Sequence, residues 1–305
     1  SAKDGAIDRI TVLDSRETPG MGDVAMEKMT QAIIDNQTLA VDTISGATLT
    51  SMAFLTAVGS ALDAMGESAD DWKNREPAAW VSDVELPEEA DVVVIGAGGA
   101  GFAAAITAAN EGKSVVLMDK MGVFGGDTAL SGGEMAVPGN WIQVTQGIED
   151  SPENLVSDML VGGDNKGDPE LVAIIANGAL DSANWLTYEG GVSWKHDLMQ
   201  FGGHNIKRSI IPITHSGSEM TTKLTNRVNG MDDIVLIDNT KAVELVTDDA
   251  GAVTGVKVEN PVTGDTSEVK CKAVVLATGG FGSNVDMRVK YNPEMDDKIL
   301  STDSV

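Results

Sequence analysis

Residues 42–51 read DTISGATLTS, and Thr43, Ser45, Thr48, Thr50 and Ser51 crowd five hydroxyls around one Gly-Ala pair. Short hydroxyls accept hydrogen bonds from the free N–H groups of a helix start, so such a run can be a turn followed by a cap. It can equally present one hydroxyl for esterification. A second stretch with chemistry in it is ADVVVIGAGGAGFAAAI, where Gly96, Gly98 and Gly101 form G-x-G-x-x-G. Glycines at that spacing allow a tight turn, admit a pyrophosphate to the backbone and let helix and strand pack closely. The phosphate then meets the N–H groups and positive dipole end of the helix.

That motif means little without the elements that hold it. Here an apolar run precedes it, an alanine-rich helical pattern follows, and SVVLMDK supplies a second apolar strand. Asp119 closes that strand 23 residues after Gly96, where an acid accepts hydrogen bonds from ribose hydroxyls. Strands apolar throughout imply a parallel sheet covered on both faces. The segment reads as a dinucleotide site, though the βαβ unit alone does not separate FAD from NAD.

The surrounding chain is ordinary in hydrophobicity and extreme in charge. With 47 acids and 21 bases it carries a formal charge of −26, a field that repels phosphate backbones and anionic lipid surfaces. We therefore set nucleic acid and membrane-surface binding aside. One cysteine, Cys271, leaves no internal disulfide, thiolate metal cluster or CxxCH haem attachment. His196, His204 and His215 show no metal-ligand spacing, and no apolar run approaches the ~18 residues of a membrane helix. A length of 305 residues suits about two domains at roughly 150 residues each.

Along the chain, residues 1–66 combine a strand-like run from Ile7 to Leu13 with two helical patterns. In the second, Leu55, Val58, Leu62 and Met65 recur on one face between Met52 and Met65, with Thr50 or Ser51 in the N-cap position. Residues 67–89 are acidic and irregular and read as a linker, although Trp72 and Trp80 imply that it packs against something. Residues 150–238 look helical and irregular. Short alternating runs between Thr240 and Leu276 predict a small antiparallel meander feeding AVVLATGGFG, a further buried strand.

Two later glycine groups favour FAD. MGVFGGDTALSGG contributes Gly125, Gly126, Asp127, Thr128, Ser131, Gly132 and Gly133, and the late strand ends in Thr278, Gly279 and Gly280. Each brings backbone close to a further part of an extended cofactor. Each alone could be a tight turn.

On the stretches VVVIGAGGAGFAAAI, GGDTALSGG and AVVLATGGFG, residues 90–285 resemble the flavin domain of the fumarate reductase and succinate dehydrogenase flavoprotein superfamily. Its soluble members, the fumarate, urocanate and acrylate-type reductases, are the nearest in pattern. The resemblance implies an α/β fold with a Rossmann-like FAD-binding domain, and non-covalent FAD. It adds Lys120 and Ala242 to the cofactor-binding residues. The family more often has Asn where Asp127 stands, which leaves the role of that position open.

Residues 1–66 resemble the later part of a small α+β FMN-binding module, through ETPGMG and DTISGATLTS. In that module a separate flavin transferase attaches FMN by a phosphodiester to the threonine after Gly-Ala, here Thr48. Its phosphate would face the following helix start. The resemblance further implies that residues 286–305 begin a substrate-capping domain and that the sequence is a fragment of a longer enzyme.

The expected reaction is reduction of the C=C bond of an α,β-unsaturated carboxylate by hydride from FAD, with FMN relaying electrons from an external donor. No catalytic residue is assigned. Arg208 matches an arginine of the family, but a histidine usual two residues later is Ile210 here, and Arg208 reads as structural or flavin-side. His215 reads equally as a loop residue. Three alternatives remain: a two-flavin carrier without substrate chemistry, a dehydrogenase of the steroid-oxidising type, and an NAD-dependent dehydrogenase. Members carrying this module are often exported, which sets the expected location at the cell envelope, with the cytoplasm as the alternative.

Overall fold

The computed structural model describes residues 2, 3 and 5–302. The chain forms two compact units, one of residues 1–127 and 228–305, the other of residues 128–227.

The first unit opens with β1 (Ala2–Lys3) and β2 (Ala6–Ile7), paired antiparallel. The strand expected over Ile7–Leu13 ends at Ile7, and residues 8–17 have no regular structure. Helix α1 (Gly22–Asn36) buries Ala25, Met29, Ala32 and Ile33, the single face that a 3.6-residue period dictates. It stops at Gln37 in the left-handed conformation, whose side chain receives Ile7 N at 2.8 Å and donates to Ile7 O at 2.9 Å.

Helix α2 (Thr48–Ala64) starts earlier than expected. Its N-cap is Ala47, which offers no side-chain oxygen. Thr50 and Ser51 lie inside the helix. The Thr50 hydroxyl donates to Glu17 at 2.6 Å, while Ser51 Oγ donates to Ala47 O and accepts from Ile44 N. The buried face is Ser51, Phe54, Val58 and Leu62; Leu55 lies at its edge and is half-buried, and Met65 is the exposed C-cap, past the end of the helix. The segment after it holds α3 (Ala69–Lys73), capped by Ser68, and buries Trp72.

The sheet of this unit runs in the order β7-β4-β3-β10-β9-β8. Strands β3 (Glu89–Ile95), β4 (Val115–Met118), β7 (Ile234–Ile237) and the end of β10 (Thr266–Leu276) are parallel; β8 (Lys241–Thr247) and β9 (Val253–Glu259) are antiparallel. The expected meander and the expected late strand are joined in one element. β10 pairs β9 antiparallel over Thr266–Lys270 and then β3 parallel over Lys270–Leu276. Beyond the buried Cys271 that last stretch is open: Leu276 is 64 % exposed, so the sheet is covered on both faces only toward β4. Helix α4 (Gly99–Asn110) joins β3 to β4 and packs Phe102, Ala105 and Ile106 inward. The core beneath is Val93, Ile95, Val116, Met118, Ile237 and Val256 with their neighbours.

Helix α5 (Gly126–Leu130) leads into the second unit, which holds β5 (Met135–Ala136), α6 (Trp141–Gln146), α7 (Pro152–Gly162), α8 (Pro169–Tyr188) and β6 (Ser209–Ile210). Ser151 and Asp168 cap α7 and α8, each with proline at the first helical position, a start signal readable in the sequence. Its core is Val137, Ile142, Ala179, Ala183, Leu198 and Ile210. Helix α9 (Gly217–Asn229) returns the chain to the first unit, where α10 (Val285–Tyr291) is the last helix of the described residues. No helix of the described residues is long and apolar enough to cross a membrane.

Candidate cofactor site

The site is built at the carboxyl ends of β3, β4, β7 and β10, where an open parallel sheet offers its crevice. Gly96 ends β3 with φ +103° and donates from N to Met118 O at 2.8 Å. A side chain there is barred twice, since its Cβ would also stand 2.3 Å from Ala277 O. Gly98 is the N-cap of α4, and no side chain caps that helix start. A Cβ at Gly98 would meet only Gly125 O at 3.7 Å, so the space over the helix start is open. Gly101 is different, because its Cβ would stand 1.8 Å from Gly96 O. The three glycines thus divide the work as the motif requires: turn, anion access, close packing.

Asp119 stands beside this turn. Its carboxylate accepts from Ala97 N at 2.8 Å and from Met121 N at 2.9 Å. Burial pushes the carboxyl above the ordinary carboxylate range, against the pull of those N–H groups and of Lys120. Thr240 N donates to Asp119 O at 2.8 Å, so the chain passes the acid just before it enters β8 and the half-buried Ala242. Gly125 N donates to Ala97 O at 2.9 Å, and Gly126 and the exposed Asp127 follow at the start of α5. The chain at Thr278 passes the same turn, its Cα 3.2 Å from where a Gly96 Cβ would be, and Gly279 and Gly280 beyond it are exposed. These residues fit an extended dinucleotide: an open helix start for the pyrophosphate, and an acid with spare lone pairs for ribose.

The turn that carries Thr48 meets this edge. Ser45 O accepts from Gly122 N at 3.2 Å, and a Cβ on Gly46 would stand 2.6 Å from Val123 Cγ2. Thr48 itself is the first residue of α2 and is exposed. Its hydroxyl therefore lies where an uncapped helix start favours an attached phosphate.

In the second unit, Thr128, Ser131, Gly132 and Gly133 form a loop closed on residues 212–217. Ser131 O accepts from Gly217 N at 2.8 Å. A Cβ on Gly133 would stand 2.8 Å from Pro212 Cγ, and one on Gly217 1.8 Å from Thr128 O. Glycine is needed here because two backbones touch.

The FAD binding domain family matches residues 91–300 and the FMN-binding domain family residues 1–63. The chain belongs to the FAD binding domain family. Urocanate reductase of Eggerthella lenta is 54 % identical over 300 residues, 98 % of this chain and 50 % of that protein. NADH:fumarate oxidoreductase of Klebsiella pneumoniae is 34 % identical over 274 residues, 89 % of this chain and 28 % of that protein. Among solved structures, the open conformation of a flavocytochrome c3 fumarate reductase aligns with a TM-score of 0.66 at 35 % identity, over 71 % of this chain and 38 % of that one. The chain spans half the length of the Eggerthella relative or less of the other two. FAD and FMN are thus the cofactors, as the glycine groups and the resemblance to the two flavin-binding families implied.

Within this FAD-binding chain, Arg208 is structural. Its side chain is fully buried, with Nε 2.7 Å from Asp150 Oδ2 and Nη1 2.7 Å from Asp158 Oδ2. His204, which looked unremarkable in the sequence, closes the same cluster with Nδ1 3.2 Å from Arg208 Nη1. Burial, and then the guanidinium, hold His204 below the usual imidazole range. His215 is in the left-handed conformation and meets the Glu134 carboxylate through Nε2. Burial alone would raise Glu134, but its own N–H and the imidazole outweigh that and leave it below the ordinary range. His196 is exposed.

Two residues of the first unit escaped the sequence reading. Lys28 on α1 forms an ion pair with Asp238 just past β7, both largely buried. The only hint was a lysine inside the apolar face of α1 next to Met29. Among the described residues no cluster of three or more His, Cys, Asp or Glu is placed to hold a metal. A shallow cavity of about 450 Å³ lies by Glu89, Asp91 and Lys272, at the amino end of β3, away from the glycine turn.

Proposed function

We propose that this chain is the two-flavin part of a reductase that saturates the C=C bond of an α,β-unsaturated carboxylate. Urocanate is the first substrate to test, since the Eggerthella relative is named for it. The observation that carries the reading is the backbone contact between Ser45 and Gly122, which joins the FMN-binding stretch to the edge of the FAD-type glycine turn.

In this reading, FAD held at the glycine turn would supply the hydride, and FMN attached to Thr48 would relay electrons from an external donor. The residues do simpler things. The helix start behind Gly98 holds the pyrophosphate, and Asp119 with its neighbour Lys120 receives the ribose. Gly125 N is already engaged by Ala97 O, so that loop shapes the crevice through its path. Ala242 and Thr278 flank the crevice from β8 and β10. Thr48 receives the phosphate from a flavin transferase and holds it against the start of α2.

The test is anaerobic turnover, with reduced methyl viologen as donor, of the flavin-loaded full enzyme that contains this chain. Urocanate, fumarate and acrylate are offered separately, and viologen oxidation is matched to saturated product. Stoichiometric product from one of them supports the reading. Viologen oxidation to FAD alone, with none of the acids reduced, leaves an electron carrier and overturns it.

A further inference from the structure

Lys28 sits where the FMN-binding stretch meets the flavin sheet, and its ammonium is fully employed there. Nζ donates to Gly122 O at 2.8 Å and pairs with the Asp238 carboxylate. It lies 5.5 Å from the centre of the Trp80 ring and 6.0 Å from that of Phe124. The side chains of Lys28 and Asp238 are 13 % and 4 % exposed. Among the described residues, Asp238 Oδ1 is buried without a hydrogen-bond partner and Lys28 is the cation paired with that carboxylate.

The partners matter more than the pair. Gly122 and Asp238 lie just past the carboxyl ends of β4 and β7, three residues after Asp119 in one case and one residue after Ile237 in the other. Both polar groups of Gly122 are taken by the FMN-binding stretch: its N by Ser45 O, its O by Lys28. A Cβ on Gly122 would stand 2.8 Å from Ile44 Cγ2, so the turn before Thr48 has no slack against it. α1 and the Thr48 turn therefore grip the same short segment, and the grip adjoins the ribose-binding acid.

A buried ion pair rarely stabilises a fold better than apolar residues of similar size, because desolvation offsets the Coulomb gain. What it does supply is orientation, since a lone buried charge tolerates no other register. We infer that Lys28 is a positioning residue for electron passage between the flavins. By holding Asp238 and Gly122 at once, it fixes the Thr48 turn relative to the carboxyl ends of the parallel strands, and with it the separation between the two flavins. The electron-transfer rate falls exponentially with that separation. This inference rests on the reading that Thr48 carries FMN.

The step balances simply. Two electrons leave reduced FMN and enter oxidised FAD, with protons exchanged with water, and a low-potential donor such as reduced viologen restores the FMN.

The experiment uses the flavin-loaded protein and the charge-neutral variant K28M/D238N. Intact mass first reports whether Thr48 bears FMN. An unmodified parent mass sinks the two-flavin reading and the inference with it, whereas a modified mass leaves Lys28 to be judged by itself. Stopped-flow absorbance then follows two rates separately: FMN-to-FAD transfer after mixing with reduced viologen, and reoxidation of prereduced FAD by the unsaturated acid. The expected result is transfer slowed at least tenfold, with reoxidation, FAD content and FAD potential unchanged. Unchanged transfer in the double variant overturns the inference. Should that variant fail to hold FAD, D238N decides, because it keeps the Lys28–Gly122 bond and removes the charge pair. An unchanged transfer rate in D238N overturns the inference equally.

Discussion

Gly101 faces the carbonyl oxygen of Gly96 so closely that a Cβ at position 101 would stand 1.8 Å from it, whereas Gly98, between them, faces open space. One motif therefore contains glycines required by packing and a glycine required by a ligand, and substitution separates the two. G101A forces α4 away from β3 and should cost about 1–3 kcal/mol of stability, the range for overpacking a close contact. FAD content should fall with it. G98A meets nothing nearer than Gly125 O at 3.7 Å, and its φ of −88° suits any residue. Its fold should change by less than about 1 kcal/mol, the scale of an N-cap exchange, while FAD affinity drops. Urea unfolding of the apoproteins together with flavin titration checks both. Equal stability losses in the two variants would refute this division.

The hydroxyls of DTISGATLTS divide in the same manner. Thr48 is exposed and bonds nothing described, while Ser51 is buried and holds the turn through Ile44 N and Ala47 O. T48V should abolish the covalent flavin and leave stability within about 0.5 kcal/mol, as an exposed substitution does. S51A should keep the flavin and cost about 1–3 kcal/mol, because it leaves Ile44 N buried without a partner. T50A removes only the exposed bond to Glu17 and should do neither. Intact mass and thermal unfolding of the three variants give the answer.

The parallel strands, the glycine turn and Asp119 were legible because each rests on a local pattern: apolar runs, spacing and a terminal acid. What was not legible came from contacts distant in sequence. The caps expected at Thr50 and Ser51 failed because Ser51 is drawn inward by Ile44 and Thr50 toward Glu17, so the helix starts at Thr48 with alanine before it. The continuity of β10 was hidden because its first half reads as an alternating meander strand and its second as an apolar parallel one. Arg208 and the Lys28–Asp238 pair are set by partners 50 to 210 residues away, and His204 by its contact with Arg208, which no spacing rule reports.

Cys271 offers a probe of the sheet. It is 9 % exposed in β10, and burial pushes its thiol above the ordinary range, with only the Ala273 N–H pulling the other way. A neutral, shielded thiol is a poor nucleophile. Alkylation at pH 8 should be slow in the folded chain and rapid in urea, the rate rising in step with unfolding of the β3–β10 pairing, where Cys271 stands opposite Ala90. Rapid labelling of the native protein, with its fluorescence unchanged, would contradict the burial of the Cys271 side chain.

Arg208 sets the acid response of the second unit. Asp150 and Asp158 are pushed up by burial, but the Arg208 guanidinium and neighbouring N–H donors prevail and hold both carboxyls below the ordinary range. A carboxylate with a depressed folded pKa contributes stability that is complete above the unfolded value, about 3.9, and is lost as pH falls through the folded one. The parent should therefore keep this contribution at pH 5 and lose it only below about pH 4. R208M removes the compensation and leaves two buried carboxylates, at a cost of about 3–5 kcal/mol near neutrality. Burial then dominates and raises both folded pKa values above the unfolded ones. The sign reverses: protonation now stabilises the variant, and its deficit relative to the parent should shrink as pH is lowered from 7 toward 4. Urea midpoints for parent and R208M at pH 7 and pH 4.5 measure that difference, and a deficit that grows on acidification would show that Asp150 and Asp158 do not depend on Arg208 for their charge.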